Sequence, residues 1–269
     1  MMDKVLISVA PINASSKSLD AKKIASDVIE CYKLGASMVH LHVRDKNGNL
    51  TNDLSYFQHT IELIKEKCDI IVEASTGGVS SLSIEERCIP LKYKNTEFAS
   101  LNVGSMNLSK SVYINQIDDV KYCLKEIIKN KKIPEVEVFE IGMIETTIKL
   151  YEEFKLKSPI LFNIVLGHNG VAPASIEALY ALRSFIPKNM FWGITHFSRD
   201  NNDIIAAAIS MGAKTIRVGF EDSDYIEKER YAKRNYELVK HFKKLLNAMG
   251  KESMSVDEAR KFFSVFRNK

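Results

Sequence analysis

Cysteine is scarce in this 269-residue chain, and the cysteines lie far apart. Cys31, Cys68, Cys88 and Cys123 form no CxxC pair, which argues against a zinc knuckle and against a disulfide framework. Isolated cysteines of this kind are usually buried and carry reduced thiols. We therefore expect a cytoplasmic protein, where thiols stay reduced.

Long apolar runs are also missing. The first ten residues hold only a short apolar patch, broken by Pro11 and Asn13, without the basic lead and apolar region of a signal peptide. No run approaches the roughly 18 residues that a membrane span needs. The sequence therefore predicts neither export nor a membrane partner.

The chain has only a small excess of positive over negative charge. The 38 basic and 34 acidic residues leave a formal surplus of +4. Nucleic-acid binding usually needs a clustered basic face, so we expect no nucleic-acid partner. A small surplus is compatible with an anionic ligand.

The apolar pattern alternates between short β-type runs and longer helical runs. The predicted strands cover residues 5–9, 38–43, 70–73, 98–102, 135–139, 160–165, 190–194 and 215–218. The predicted helices cover residues 19–34, 54–67, 84–89, 119–129, 143–154, 175–185, 201–211 and 231–248, and an extra helix covers 256–266 after Ser255 as its N-cap. Eight such units in about 250 residues are typical of an α/β fold of the (β/α)8 TIM-barrel type.

A doubly wound open sheet is the competing fold. The first predicted strand is not followed by GxGxxG, which disfavours that alternative. No linker rich in proline, glycine or serine divides the chain, so we expect residues 1–269 to form one barrel domain with an extra C-terminal helix.

Two histidines follow each other at a spacing of two on the second strand. Because strand side chains alternate, His40 and His42 point to the same side. If that side is the barrel interior, both can bind one metal ion, and neutral imidazole suits Zn²⁺ well. A pair of hydrogen-bonded core histidines remains the alternative.

Charged residues follow the eighth strand, which neighbours the first strand in a closed barrel. Glu221 could complete a His-His-Glu ligand set, since a catalytic zinc needs a third protein ligand. Arg217 and Asp222 could pair, which would keep Asp222 ionised as a base. A purely structural salt bridge is the other interpretation.

Small and polar residues end the remaining strands. Residues 75–78 read Ser-Thr-Gly-Gly. The glycines allow this backbone to come close to a ligand and to offer N–H groups to an anion, although turns also use Gly-Gly. The other polar candidates at these ends are Ser100, Asn102, Glu135, Glu137, His168 and His196. Gly167 and Gly170, followed by a helix, could hold a phosphate.

Six strings occur in a fixed order along the chain: VHLHVRD, EASTGG, ASLNVGSMN, PEVEVFEIGM, NIVLGHNG and IRVGFED. In this combination the chain closely resembles the β-keto acid cleavage enzymes, whose type member is the 3-keto-5-aminohexanoate cleavage enzyme. The resemblance runs from about Val5 to Ala248.

The resemblance implies a (β/α)8 barrel and a divalent metal, usually Zn²⁺, that is bound by His40, His42 and Glu221. It implies a reaction of a β-keto acid with acetyl-CoA that yields acetoacetate and a new CoA thioester. In this reaction Asp222, oriented by Arg217, removes a proton from the keto acid; the enolate attacks acetyl-CoA, and the expelled thiolate then cleaves the carbon–carbon bond.

The same resemblance assigns further roles. Glu137 corresponds to a site glutamate and is a catalytic candidate, and Ser75 and Ser100 match positions that bind the keto acid. With residues at the same strand ends and in the first loop, the substrate-binding candidates are Ser75, Thr76, Gly77, Ser100, Asn102 and Ser15. The type member carries threonine at the position of Ser100. The resemblance also implies a homotetramer and a place in lysine fermentation.

One position departs from the type member. Ser15 stands where that enzyme has a glutamate that receives the substrate's amino group, and no carboxylate occurs between Asp3 and Asp20. This argues against an amino-bearing substrate, while the metal ligands and the Arg217–Asp222 pair are kept.

Two other function classes compete with this interpretation. A metal-dependent hydrolase of the amidohydrolase kind also uses HxH, together with later histidines such as His168 and His196, but its HxH belongs to the first strand. A non-enzymatic ligand-binding barrel would keep the metal site without turnover.

Overall fold

A closed barrel of parallel strands forms the centre of the molecule. The computed structural model describes residues 3–266. Within that range the barrel strands are β1 Lys4–Val9, β2 Met38–Leu41, β3 Ile71–Ala74, β4 Phe98–Asn102, β5 Ile133–Val138, β6 Leu161–Leu166, β7 Phe191–His196 and β8 Thr215–Val218. Each strand pairs in parallel with the next, and β8 pairs with β1 from Leu6↔Thr215 to Val9↔Val218. The barrel prediction is therefore confirmed.

Helices follow the strands around the outside. They are α1 Ala21–Leu34, α2 Ser55–Lys65, α3 Ile84–Arg87, α4 Ile117–Lys129, α5 Ile141–Glu153, α6 Ile176–Phe185, α7 Asp203–Ser210, α8 Asn235–Ala248 and α9 Val256–Phe263. Ser175 and Ser255 cap α6 and α9, because each hydroxyl accepts a backbone N–H of the first helical turn. Among the described residues, no helix has the length and apolar character that crossing a membrane requires.

Two short hairpins lie outside the predicted pattern. Met106–Leu108 pairs with Ser111–Tyr113 after β4, and Tyr225–Glu227 pairs with Arg230–Tyr231 after β8. Helix α8 therefore begins at Asn235 and not at Tyr231. Strands of two or three residues are too short to show a period of two, so periodicity could not reveal them.

The extra helix α9 closes the N-terminal end of the barrel. The short strand Glu252–Ser253 pairs beside β1 and leads the chain into α9. Phe263 of α9 is fully buried and meets Phe98 edge-on, with ring centroids 5.6 Å apart. The barrel residues of this apolar cluster are Leu6, Met38, Ile71, Phe98, Ile133 and Leu161. Because this end is apolar and covered, the open C-terminal end holds the polar groups. The side chain of Phe266, the last residue of the predicted extra helix, lies outside the described part.

Candidate metal centre

Three side chains predicted as ligands come together at the C-terminal end of the barrel. In the described part of the chain, one group has ligand geometry: one donor atom each from His40, His42 and Glu221, all within 4.8 Å of one another. Glu221 Oε1 lies 3.3 Å from His42 Nε2 and 3.7 Å from His40 Nε2. A cation between these atoms would meet two imidazole nitrogens and a carboxylate, a donor set that suits Zn²⁺.

A glycine lets the chain bring Glu221 to this position. Gly219 has a φ of +141°, and a Cβ there would lie 2.2 Å from the carbonyl oxygen of Ala10. The chain passes this close to β1 because the Glu221 N–H donates to the same Ala10 carbonyl at 3.1 Å. The end of β8 therefore stays attached to β1 while its carboxylate reaches the histidines of β2.

The ring of His40 is held in a form that can bind metal. Its Nδ1 lies 2.8 Å from Glu73 Oε2, and its buried Nε2 has no hydrogen-bond partner within residues 3–266. Burial, reinforced by the charge of Arg217, lowers the pKa of His40 to about 4, so the ring is neutral at pH 7. Burial opposes ionisation of Glu221, but the nearby histidines and Arg217 outweigh it and hold the Glu221 pKa below its usual value. An unpartnered neutral imidazole nitrogen beside an ionised carboxylate fits a divalent cation.

The surrounding charge also fits a cation. Glu73, Glu135 and Glu137 are buried near the ligand group. The charge of one guanidinium, that of Arg217, acts on Glu73 and Glu135 and is hydrogen-bonded to Glu137. Burial, then the charge of Glu137, raises the pKa of Glu73 to about 8. Such an excess of buried carboxyl groups is costly unless a positive charge compensates it.

Arg217 and Asp222 form a bidentate pair beside the ligand group. Arg217 Nε donates to Asp222 Oδ2 at 3.0 Å, and Nη2 donates to Oδ1 at 2.7 Å. The remaining terminal nitrogen, Nη1, donates to Glu137 Oε1 at 2.9 Å. Burial raises the pKa of Asp222, and Arg217 counteracts that rise.

The predicted substrate-binding residues of β3 and β4 occupy different places. Ser75, Gly77 and Asn102 line a cavity of about 510 Å³ above the ligand group. Both polar atoms of the Asn102 side chain are buried and have no hydrogen-bond partner in the described part of the chain, so they are free to bind a ligand. Ser100 lies behind Ser75, with the two hydroxyls 3.4 Å apart. The hydroxyl of Thr76 donates to the Ser100 carbonyl at 2.6 Å, which ties this loop to β4.

Ser15 lies at the edge of the same cavity. Its N–H and hydroxyl both donate to Asn13 Oδ1, while its neighbours Ala14, Ser16 and Lys17 line the cavity. The apolar wall of the cavity consists of Leu50, Val79, Leu108, Phe139, Val165 and Phe197.

The other histidines take no part in the ligand group. His168 stacks on Phe197, with ring centroids 3.7 Å apart, and faces the cavity. His196 is buried at the end of β7. The predicted phosphate glycines have a packing role, because a Cβ on Gly167 or Gly170 would lie 2.4 or 2.7 Å from a backbone oxygen. Helix α6 begins only at Ile176, so these glycines do not adjoin its N-terminus.

Sequence reasoning assigned no role to two residues that shape the site. Glu73 lies 2.8 Å from His40 through its carboxylate oxygen. Because Glu73 and Ser75 alternate onto the same face of β3, the sequence could have indicated that Glu73 points toward the site. Tyr113 belongs to an unpredicted hairpin; its hydroxyl accepts the Gly78 N–H at 3.1 Å. No sequence pattern indicated that contact.

The fold and this ligand group define an α/β-barrel protein with a candidate divalent-metal centre at the open end. The chain belongs to the beta-keto acid cleavage enzyme family, whose sequence profile matches residues 5–265. It is thus an enzyme of that family, as its sequence motifs indicated. This family assignment decides against the amidohydrolase interpretation.

Several relatives support this assignment. The chain is 35% identical to the 3-keto-5-aminohexanoate cleavage enzyme of Fusobacterium nucleatum subsp. nucleatum, over 98% of this chain and 99% of the relative. It is 33% identical to the enzyme of the same name from Acetoanaerobium sticklandii, over 98% and 99%. It is 26% identical to a 3,5-dioxohexanoate:acetyl-CoA acetone transferase of Paraburkholderia graminis, over 97% and 96%.

A solved structure supports the fold. The ternary complex of ObcA with a C4-CoA adduct and oxalate superposes with a TM-score of 0.77 at 20% identity, covering 91% of this chain and 67% of that one. At this identity the likeness concerns the barrel architecture.

Proposed function

We propose that this enzyme combines a β-keto acid with acetyl-CoA to give acetoacetate and a new acyl-CoA, with Zn²⁺ or another divalent metal bound by His40, His42 and Glu221. The observation that carries the proposal is the unpartnered Nε2 of His40 beside Glu221, directly next to the Arg217–Asp222 pair. The names of the relatives support a keto acid and acetyl-CoA as the substrates.

The metal, when bound, supplies a Lewis acid that stabilises negative charge developing on substrate oxygens. His40, His42 and Glu221 would hold it at the floor of the cavity, where Asn102 and Ser75 offer hydrogen bonds to the keto acid. These residues would orient the carbon between the ketone and the carboxylate toward Asp222.

Asp222 is the proposed general base. Its two oxygens are both fixed by Arg217, and Glu137 fixes the far side of the guanidinium. The pKa of the buried Asp222 is raised above that of an exposed aspartate, which makes it the stronger proton acceptor. Asp222 takes a proton from the substrate carbon and holds it on a side chain that is about 1% exposed.

The bond changes then balance without a further reactant. The carbanion attacks the thioester carbonyl of acetyl-CoA and the carbon–sulfur bond breaks, which releases the CoA thiolate. The thiolate attacks the original ketone, and the bond between that carbon and the deprotonated carbon breaks. A new acyl-CoA forms, and the acetoacetate carbanion recovers the proton held by Asp222.

The substrate tail points toward the apolar wall and Lys17 in this proposal. With Ser15 in place of a carboxylate and its hydroxyl already bonded to Asn13, an ammonium group would find no anionic partner in the loop from Ala10 to Ser15. We therefore propose a neutral or anionic tail. A place in lysine fermentation, which the resemblance implies, would require an amino-bearing keto acid.

The test is a turnover assay with the metal-loaded enzyme and a panel of β-keto acids that carry neutral, carboxylate or amino tails. Mass spectrometry should detect acetoacetate and the matching acyl-CoA, only when acetyl-CoA is present. Product formed without acetyl-CoA would support a hydrolase and contradict the proposal. His40→Ala should lose both metal and turnover, whereas a ligand-binding barrel has no turnover to lose.

We further propose a cytoplasmic homo-oligomer, a tetramer by resemblance. Light scattering coupled to gel filtration measures its mass directly; a monomer at every concentration would contradict this part of the proposal.

A further inference from the structure

Glu73 lies directly behind the candidate metal centre. We propose that Glu73 is a positioning residue that orients His40 for metal binding and fixes which ring nitrogen binds. This inference rests on the proposed metal site. It adds a residue that does not touch the metal but acts on it through His40.

The barrel itself aligns the two residues. Strands β2 and β3 pair with His40 opposite Glu73. Both side chains point inward and are about 1% exposed, and His40 Nδ1 lies 2.8 Å from Glu73 Oε2. Because strand pairing sets this register, the contact is built into the fold and does not depend on a loop.

The contact suits one tautomer of the metal-bound ring. A cation at Nε2 needs the lone pair of that nitrogen, so the ring proton lies on Nδ1. The charge of the cation favours the ionised form of Glu73, and Glu73 Oε2 then accepts this proton in a hydrogen bond. Nε2 is buried, unpartnered and 3.7 Å from Glu221 Oε1. A metal-binding histidine is commonly held by a carboxylate on its other nitrogen, which also makes the ring a stronger ligand.

The second histidine ligand lacks this support. His42 Nδ1 is buried and has no hydrogen-bond partner among the described residues. His42 also lies just beyond the end of β2, whereas His40 lies within it. The two histidines therefore differ, and His40 is the ligand whose geometry the barrel determines.

A neighbouring glutamate provides a matched control. Glu135 is equally buried in the barrel, but its Oε1 accepts from Asn163 Nδ2 at 2.9 Å and it contacts no candidate ligand. If Glu73 served only to fill the barrel interior, replacing either glutamate by glutamine would affect metal binding equally.

The experiment compares wild type, Glu73→Gln, Glu73→Ala and Glu135→Gln. Each metal-free protein is titrated with Zn²⁺ against a chromogenic chelator to obtain the dissociation constant, and with Co²⁺ to record its visible absorption. We expect Glu73→Gln, which keeps an acceptor but loses the charge, to bind about 10-fold more weakly, and Glu73→Ala about 100-fold more weakly. Glu135→Gln should stay near wild type, and only the Glu73 variants should change the Co²⁺ spectrum.

The outcomes separate this inference from the proposal on which it rests. If wild type binds neither metal, the metal centre itself is wrong. If wild type binds and Glu73→Gln matches Glu135→Gln in affinity and spectrum, the role of Glu73 is overturned. Thermal unfolding of each variant identifies misfolding; if Glu73→Ala does not fold, the near-isosteric Glu73→Gln decides.

Discussion

At the scale of single residues, the two carboxylates that follow β8 have opposite surroundings although they are adjacent in the chain. Glu221 faces the imidazoles and has a lowered pKa, whereas Asp222 is turned to Arg217 and has a raised pKa. Neighbouring residues of one loop are thus prepared for different tasks, one for binding a cation and the other for moving a proton.

Asp222→Asn is the first prediction at this scale. The amide cannot accept the substrate proton, so kcat/KM should fall by about 10²–10⁴-fold, while Zn²⁺ is still bound. Steady-state kinetics and metal analysis of the same preparation check this. Asp224→Asn, an exposed residue of the same loop, is the control and should keep wild-type activity. Full activity of Asp222→Asn would eliminate Asp222 as the base.

Gly219→Ala is the second prediction. The added Cβ would lie 2.2 Å from the Ala10 carbonyl at a φ of +141°, so the strand end must move. Backbone strain alone should lower the free energy of unfolding by about 1–3 kcal/mol. Urea unfolding measures it. Gly142→Ala, in helix α5 with no atom within 4 Å of its new Cβ, should instead be neutral or stabilise by up to about 1 kcal/mol.

At the scale of elements, α9 acts as the floor of the barrel. Its buried face, with Val256, Ala259 and Phe263, joins the lowest apolar layer of the strands. Phe262 meets Phe191 edge-on, with centroids 5.2 Å apart. Helix α9 therefore keeps water out of the end of the barrel opposite the site.

Phe263→Ala should consequently destabilise the whole barrel. Removing a fully buried phenyl ring lowers the free energy of unfolding by about 3–5 kcal/mol, because a cavity remains. Chemical denaturation measures the change. Val265→Ala, with a side chain that is 53% exposed, is the matched control and should change stability little. Equal stability of both variants would show that α9 does not close the barrel.

At the scale of the whole molecule, the barrel interior is sorted by polarity along its axis. Apolar side chains fill the N-terminal end of the barrel, against α9. The buried carboxylates and histidines occupy the middle and the open C-terminal end. A polar interior of this kind makes stability depend on protonation.

Two buried histidines, His168 and His196, should contribute a loss of stability in mild acid. Glu73 contributes with the opposite sign, because its raised pKa lets the folded protein bind a proton before the unfolded chain does. Burial, with Arg217 near His168 and Arg199 near His196, lowers the pKa of both histidines from 6.5 to about 4. Between about pH 6.5 and pH 4 the unfolded chain binds protons at these histidines that the folded protein does not, so their contribution to stability decreases as pH falls through this window. Urea unfolding from pH 7.5 to 4.5 measures it. His196→Gln should reduce the slope, and His59→Gln, an exposed residue, should keep the wild-type slope; identical slopes in all three proteins would contradict this.

The predictable part of the fold and site depends on local pattern. Spacing along a few residues predicts three features: the shared face of His40 and His42, the helix caps at Ser175 and Ser255, and the eight βα units. The hairpin that supplies Tyr113 and the place of Thr76 against β4 could not be predicted, because both depend on contacts between segments.

The sequence by itself determined the order of barrel units, the family and the identity of the candidate ligands, since these reside in alternation and in motifs. Only the tertiary structure decided how the candidate ligands are brought together and which residue lies behind His40. Closure of β8 onto β1 brings Glu221 to the histidines across 179 residues of chain, and the register of β2 on β3 places Glu73 behind His40. Hydrogen bonding between strands sets that register in space, and no pattern along one strand can show which residue of another strand it will meet.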